Sequence, residues 1–184
     1  MDATQRLVDE LRTHALILGE VVLTSGKTAQ YYVDAKRAIL RPAGFAALGE
    51  LVACHAGAWG ATAIGGLTMG ADPVACAGLA GGFAGKAFFV RKETKQHGLQ
   101  RRIEGPPLDA TDRCVIVEDV VTTGGSTIQA IEAVREAGHE IVGVIAVLDR
   151  LAGGAEKIRA AAGGAPYVPC TTIDQIHPDR PDRG

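Results

Sequence analysis

The chain has 184 residues, 47% of them hydrophobic, and this length predicts one domain with one core. Its formal net charge of −2 excludes an overall electrostatic preference for nucleic acid or an anionic membrane, so we expect neither as a partner. The first twenty residues do not read as a signal peptide, and no apolar run reaches the roughly 20 residues of a membrane helix, so a cytoplasmic protein is expected.

The four cysteines are widely separated and show no C-x-x-C spacing. Most of them lie among apolar residues, so we expect small buried side chains rather than metal ligands or disulfides. They are Cys54, Cys76, Cys114 and Cys170.

The chain is predicted to begin with an amphipathic helix and a hairpin. Apolar residues recur every three or four positions through residues 4–18, at Leu7, Leu11, Ala15 and Leu18. Two strand-like runs then follow, residues 21–23 and 31–33, on either side of a turn signal at Ser25 and Gly26.

From Pro42 onward, helical and strand patterns alternate. The strands are near-continuous apolar runs, as expected when both faces of a sheet are covered. Helices are predicted at 43–56, near Pro73 and at 126–138, with Gly138 as carboxyl-terminal cap, and strands at 61–66, 86–90, 114–119 and 140–149. The pattern predicts an α/β fold with a doubly wound, mostly parallel sheet flanked by helices.

A polar segment at residues 92–107 interrupts this alternation. Long structureless loops in compact domains are usually functional or disordered. Five cationic side chains lie at its start or within it, and His97 lies between them in the sequence. This composition would suit binding of a polyanion; a solvated loop is the alternative. The cations are Arg91, Lys92, Lys95, Arg101 and Arg102.

The stretch "VIVEDVVTTGGST", residues 115–127, predicts a strand that delivers two acids and then a glycine-rich turn into a helix. Such a turn can direct successive backbone N–H groups at a phosphate, and the helix start adds unpaired donors. An ordinary turn capped by Ser126 or Thr127 is the alternative. Neither the P-loop nor the dinucleotide-binding glycine spacing occurs in the chain.

Glu118 and Asp119 would repel a phosphate but accept hydrogen bonds from vicinal hydroxyls and attract a divalent cation. A ribose 5-phosphate reconciles both properties, with its phosphate in the turn and its 2- and 3-hydroxyls facing the acids. Because neighbouring strand residues point to opposite faces, the two acids are not expected to be equivalent.

The acids followed by T-T-G-G-S resemble the donor-binding motif of type I phosphoribosyltransferases. Three further segments are similar to orotate phosphoribosyltransferases: "LTSGKTAQYYVDAKR" at 23–37, "FVRKETKQHG" at 89–98 and "VLDR" at 147–150. The resemblance implies the type I fold in a single domain, residues 1–184. Residues 1–40 would form its amino-terminal helix and a small hood hairpin.

The resemblance also implies the site residues. The catalytic residues would be Arg91, Lys92, Lys95 and His97, on a mobile loop that closes over the other subunit of a homodimer with shared active sites. These four would also bind the donor, together with Glu118, Asp119, Val120, Val121, Thr122, Thr123, Gly124, Gly125 and Ser126. Orotate would be bound by Thr122, Arg150, Tyr31, Tyr32 and Lys27, with Arg150 on its carboxylate.

The implied reaction transfers the 5-phosphoribosyl group from 5-phosphoribosyl 1-pyrophosphate to orotate. The products are orotidine 5'-monophosphate and pyrophosphate, a step of pyrimidine (UMP) biosynthesis. The implied cofactor is Mg²⁺, bound through the donor with Glu118 and Asp119 as candidate ligands. The chain departs from the family at Thr24 and near Met69, where lysines are frequent. Transfer to a purine or another base, and a non-catalytic sugar-phosphate sensor, are the alternative functions.

Overall fold

The computed structural model describes residues 2–22, 26, 28–92 and 102–183, in which helices alternate with strands. The helices are α1 (Ala3–Glu10), which a π-helical turn (Leu11–Ala15) continues, α2 (Lys36–Ile39), α3 (Pro42–Ala58), α4 (Asp72–Ala80), α5 (Gly125–Glu136), α6 (Gly154–Ala161) and α7 (Ile173–Ile176). The strands are β1 (Leu16–Val22), β2 (Thr28–Val33), β3 (Ala63–Leu67), β4 (Lys86–Val90), β5 (Ile103–Glu104), β6 (Arg113–Val121), β7 (Glu140–Asp149) and β8 (Tyr167–Thr172). None of the described helices is long and apolar enough to span a bilayer.

A six-stranded sheet in the order β5-β4-β3-β6-β7-β8 forms the centre of the molecule. Strands β4, β3, β6, β7 and β8 run parallel, and the short β5 pairs antiparallel with the edge of β4. Helices cover both faces, because one core cluster contains residues of α1, α3 and α4 and the other contains residues of α5 and α6. The predicted doubly wound, mostly parallel sheet is confirmed.

Strand β6 shows why the apolar runs are continuous. Val115 and Val117 pack in the α3–α4 cluster, whereas Cys114 and Ile116 pack in the α5–α6 cluster. All four are fully buried, and burying an aliphatic side chain of this size contributes about 1.5–3 kcal/mol. The covered strand therefore holds its own last residues, 118–121, and the turn that follows them, 122–126, in a fixed place.

The amino-terminal segment differs from its prediction at the end of the first helix. The helix was predicted to continue to Leu18, but the π-helical turn ends at Ala15 and β1 begins at Leu16. Leu18 pairs with Tyr31 in the antiparallel β1–β2 hairpin and its side chain is 67% exposed. Cross-strand hydrogen bonding overrides the helical apolar spacing here, so the predicted helix was wrong over residues 16–18.

Two of the four cysteines contradict the expectation of burial. Cys114 and Cys170 are buried, but Cys54 and Cys76 are exposed on α3 and α4. The spacing of small apolar residues along an alanine-rich helix does not reveal which side of the helix faces the core. Gly138, by contrast, follows α5 with φ +88°, as predicted for a carboxyl-terminal cap.

A polar network ties the beginnings of β3, β4 and β6 together. The Lys86 ammonium lies 2.7 Å from Asp112, whose other carboxylate oxygen accepts from the Thr62 hydroxyl at 2.7 Å. The hydrogen bond from Lys86 is the main reason that the pKa of Asp112 falls to about 2; burial opposes it, while Thr62 and the Asp109 amide add to it. The ionised carboxylate is therefore part of the folded structure.

Asp112→Asn should lower the free energy of unfolding at pH 7 by about 1–3 kcal/mol, because it removes the charge that pairs with Lys86 and leaves one acceptor oxygen for three donors. The folded-state pKa lies below the ordinary value of 3.8, so this stability is present above pH 3.8. It is lost as the pH falls toward 2, and the difference between variant and parent should shrink there. Urea unfolding at several pH values measures both effects.

Asp109→Asn is the matched control, because Asp109 contacts the same lysine at 2.7 Å but its side chain is 74% exposed. An exposed pair contributes only about 0–1 kcal/mol. Equal losses in the two variants, or a difference that persists unchanged to pH 2, would contradict the assignment.

Candidate functional site

The carboxyl ends of β3, β4, β6 and β7 meet at one edge of the sheet, where ligands of open α/β folds bind. A cavity of about 640 Å³ opens there. Its lining comes from the hairpin, α2 and the segments that follow these strands. The lining residues are Tyr32, Val33, Lys36, Leu67, Thr68, Met69, Gly70, Lys92, Glu118, Asp119, Val120, Thr122, Ser126 and Arg150.

Helix α5 begins at this cavity with unpaired backbone donors. Its amino-terminal cap is Gly124, and no side chain in the described part of the chain caps it. Gly124 has φ +84°, and a methyl group on it would lie 3.0 Å from Ile158, so the turn requires glycine. Since Ser126 lines the cavity instead of capping the helix, the first-turn N–H groups are available to an anion.

The two acids point to opposite faces of β6, as predicted. Glu118 lies on the α5 side, where its carboxylate accepts from the Thr127 hydroxyl at 3.1 Å. Asp119 lies on the other side, where the Lys36 ammonium is 3.2 Å from its carboxylate. The alternation of a strand therefore gives the acids two different environments at one rim of the cavity.

Glu118 is the more buried acid, with 4% of its surface exposed. Burial, with the neighbouring Asp119 charge as the second cause, raises the pKa of Glu118 to about 8. Loss of hydration disfavours the ionised form more than the Thr127 hydroxyl favours it. The surroundings of Glu118 therefore favour the protonated carboxyl group in the ligand-free protein.

Lys36 is a site residue that the sequence analysis missed. Its ammonium lies 2.9 Å from Asp34 and 3.2 Å from Asp119. Partial burial disfavours the charge, but the two carboxylates outweigh burial and raise the pKa of Lys36. A signal was present in "VDAKR", because Asp34 stands two residues before Lys36 at the end of a strand; the contact with Asp119 was not readable.

The segment after β3 brings its backbone against the same acid. A methyl group on Gly70 would collide with the Asp119 carboxylate. The Thr68 hydroxyl donates to Asp72 at 2.5 Å, and the Met69 side chain is 71% exposed. This segment carries no cation of its own, so within the described residues Lys36 and Lys92 are the lysines that line the cavity.

Arg150 lines the cavity after β7 and is held by Tyr31. Its guanidinium donates to the Tyr31 hydroxyl at 3.2 Å and lies 5.3 Å from the centre of that ring. Tyr31 is buried and is not among the lining residues, whereas Tyr32 is 37% exposed and lines the cavity. The two predicted tyrosines therefore lie in different places, since neighbouring residues of β2 face opposite ways.

The other predicted residues divide into three groups. Lys92, Val120, Thr122 and Ser126 line the cavity. Arg91, Val121, Thr123, Gly124 and Gly125 lie next to it without lining it; Arg91 pairs with Glu104 at 3.5 Å and Val121 is buried. Lys27, Lys95 and His97 lie outside the described residues.

The acid pair fits a cation that takes most of its ligands from a substrate. Among the described residues, no three His, Cys, Asp or Glu side chains are close enough to hold a metal ion by themselves. Mg²⁺ is usually bound through one or two carboxylates, waters and substrate phosphates, so Asp119 and Glu118 suit such a shared site.

A second cavity of about 460 Å³ lies at the opposite end of the strands. Arg113 and Arg135 are among its lining residues, together with Glu140, which pairs with Arg113 at 3.7 Å. However, α5 and α6 end there, and the partial negative charge of helix carboxyl termini disfavours a phosphate. The first cavity is therefore the candidate active site.

Glu118→Gln should make the protein more stable than the parent at pH 9 by more than about 1 kcal/mol, and have little effect at pH 5. The folded-state pKa of Glu118 is raised above the ordinary 4.5, so the contribution of neutral Glu118 to the free energy of unfolding is fully present below pH 4.5. The parent loses this contribution as the pH rises toward 8, whereas glutamine stays neutral. Urea unfolding between pH 5 and 9 measures this, with Glu132→Gln on the exposed side of α5 as control; identical pH dependence in parent and Glu118→Gln would contradict the burial argument.

Comparisons with known proteins agree with this geometry. The phosphoribosyl transferase domain matches residues 38–164. The chain is 47% identical to the orotate phosphoribosyltransferase of Corynebacterium glutamicum (strain R) over 168 residues, 91% of this chain and 90% of the relative. The Mycobacterium tuberculosis H37Rv orotate phosphoribosyltransferase in complex with Fe(III) dicitrate superimposes with a TM-score of 0.86 at 40% identity, covering 95% of this chain and 99% of that chain. The same enzyme in complex with 5-phospho-alpha-D-ribosyl 1-diphosphate gives a TM-score of 0.81 at 36% identity, covering 95% and 98%. The chain belongs to the orotate phosphoribosyltransferase family.

Proposed function

We propose that the chain transfers the 5-phosphoribosyl group of 5-phosphoribosyl 1-pyrophosphate to orotate, forming orotidine 5'-monophosphate and pyrophosphate in pyrimidine biosynthesis. The observation that carries the proposal is a single cavity with three kinds of groups. The first-turn amides of α5 have no side-chain cap among the described residues, Glu118 and Asp119 line the cavity, and Arg150 lines it after β7.

The donor's 5-phosphate occupies the turn between Thr122 and Ser126. Its oxygens accept from the first-turn amides of α5 and from the hydroxyls of Thr122 and Ser126, which line the cavity. The partial positive charge of the helix start adds to these bonds. Gly125 supports this placement, because nothing lies within 4 Å of the position that a side chain would take there.

The ribose hydroxyls face the acid pair. The Asp119 carboxylate lies 3.2 Å from the Lys36 ammonium, and Glu118 can donate when protonated or accept when ionised. Bound Mg²⁺ would be held by the donor's phosphate oxygens with Asp119 and Glu118, and would neutralise charge on the leaving diphosphate.

The leaving diphosphate lies toward Lys36, Lys92 and the 68–70 backbone. A ring nitrogen of orotate forms a bond to C1 of the ribose as the bond from C1 to the diphosphate oxygen breaks. The electron pair leaves with the diphosphate, and the proton of the ring nitrogen passes to the diphosphate or to water. The protein provides positioning and cationic stabilisation of that charge, without a covalent intermediate. Lys36 thus supplies positive charge that the segment around Met69 lacks.

Orotate lies between the hairpin and the end of β7. Arg150 pairs with its carboxylate by a bidentate interaction, the strongest that a guanidinium makes with such a group. Thr122 offers a hydroxyl to the ring, and the half-exposed Tyr32 covers one of its faces. Buried Tyr31 contributes by holding Arg150.

In the proposed function, Lys95 and His97 take part in catalysis together with Arg91 and Lys92. These residues, Lys27, the homodimer with shared active sites and the cytoplasmic location stay predictions. If the loop closes over the cavity from a second subunit, it would exclude water from a reactive donor.

The purified protein should consume orotate when supplied with 5-phosphoribosyl 1-pyrophosphate and Mg²⁺, with one pyrophosphate released per orotate lost. Ultraviolet absorbance of orotate and a coupled pyrophosphate assay measure the two quantities. Guanine, hypoxanthine and adenine in place of orotate are the controls for the base. A folded protein that is inactive with orotate, or that prefers one of the purines, would contradict the proposed function.

Lys36→Ala should lower kcat/KM for the donor by roughly ten- to a hundredfold, because the variant loses a cation beside the leaving diphosphate. Arg37→Ala, which removes the exposed neighbouring cation, should stay within about twofold of the parent. Initial rates at varied donor concentration, with orotate saturating, provide the measurement. A Lys36→Ala variant indistinguishable from Arg37→Ala would remove Lys36 from the site.

A further inference from the structure

The carboxyl-terminal segment, residues 178–183, reaches the proposed base-binding end of the cavity through one tyrosine. The Asp182 carboxylate accepts from the Tyr31 hydroxyl, with oxygen–oxygen distances of 2.9 and 3.1 Å. The same hydroxyl accepts from the Arg150 guanidinium at 3.2 Å. Asp182, Tyr31 and Arg150 thus form a hydrogen-bonded chain that leads from residues 178–183 to the cavity.

The direction of these hydrogen bonds is fixed by chemistry. An arginine has donors and no acceptor, and an ionised aspartate has acceptors and no donor. The Tyr31 hydroxyl has one proton. When it donates that proton in a hydrogen bond to Asp182, its oxygen presents a lone pair that accepts from Arg150. Asp182 therefore keeps the hydroxyl in the orientation that Arg150 needs.

Asp182 is itself anchored to the body of the protein. The Arg180 guanidinium lies 3.3 Å from Asp182 and also pairs with Asp174 at α7, and the Arg180 side chain is only 9% exposed. The His177 ring meets the Tyr31 ring edge-on, with centroids 5.1 Å apart. Residues 177–182 are therefore held against α7 and Tyr31, although the Asp182 side chain is 57% exposed.

We propose that Asp182 is a positioning residue for acceptor recognition, acting through Tyr31 on Arg150. This inference rests on the proposed function, in which Arg150 pairs with the carboxylate of orotate. Tyr31 restrains Arg150 both through its hydroxyl and through the face of its ring, 5.3 Å away. Asp182 fixes the hydroxyl part of this restraint from outside the cavity.

Asp182→Ala should raise the KM for orotate about five- to tenfold, the range that one lost hydrogen bond supports, and leave kcat and the KM for the donor within about twofold. Asp182→Asn removes the charge but keeps an oxygen that accepts from Tyr31, so its KM for orotate should stay within about twofold of the parent. Asp179→Ala is the matched control, because Asp179 is an exposed acid of the same segment. Steady-state kinetics with each substrate varied in turn separates the two KM values.

A double-mutant cycle with Tyr31→Phe tests the route of the effect. Phenylalanine keeps the buried ring and removes only the hydroxyl, so Asp182→Ala should cause no further rise in the KM for orotate in that background. A full additional rise would show that Asp182 acts by another route and would overturn the proposal.

Further outcomes distinguish this proposal from the function on which it rests. A parent protein that does not convert orotate contradicts the proposed function and the inference together. An active parent with Asp182→Ala kinetics equal to those of Asp179→Ala overturns the inference alone. A fall in thermal stability of Asp182→Ala with an unchanged KM for orotate would assign Asp182 to folding, and so would also overturn it.

Discussion

The proposed site depends on two opposite electrostatic environments that lie side by side at the carboxyl end of β6. The strand carries two carboxyl groups near its end, Glu118 and Asp119, and a few residues later the chain turns through Gly124 to start α5 with unpaired amides. A simple anion would be attracted by one half and repelled by the other. A pentose phosphate, with a charged end and a hydroxyl-bearing ring, satisfies both halves.

The acids can stand close to the proposed phosphate site because the fold places them in separate environments that reduce or balance their charge. Glu118 is buried against Thr127, and burial raises its pKa, which favours the uncharged form without ligand. Asp119 is compensated by Lys36, which α2 places at the rim. The hairpin and α2 thus do more than cover the cavity: they contribute the cation, Tyr32 and the restraint on Arg150.

The alternation of strands and helices, and the site at β6, could be predicted because they depend on local patterns. Continuous apolar runs predict buried strands, and glycine spacing predicts turns, without information about distant residues. The contacts that complete the site are long-range: Lys36 and Asp119 are separated by 83 positions, and Tyr31 and Asp182 by 151. No pattern in either segment specifies such pairing.

Errors of the sequence analysis have the same origin. Helical spacing to Leu18 was overridden by pairing with Tyr31 across the hairpin, and the exposed Cys54 and Cys76 depend on how α3 and α4 are rotated against the sheet. The alternation of β2 also separates the two predicted tyrosines, because Tyr31 is buried whereas Tyr32 lines the cavity, and their roles toward orotate stay predictions. Sequence patterns indicated the elements and their order, whereas packing decided their ends and faces.

A crystal structure with bound ribose 5-phosphate would locate the phosphate and the pentose separately, since this ligand has the phosphate and the ring but no leaving group. We expect phosphate density within hydrogen-bonding distance of the Gly125–Thr127 amides and the Thr122 and Ser126 hydroxyls, with ribose hydroxyls toward Asp119 and Glu118. Phosphate density in the cavity lined by Arg113 and Arg135, with the α5 turn empty, would contradict it.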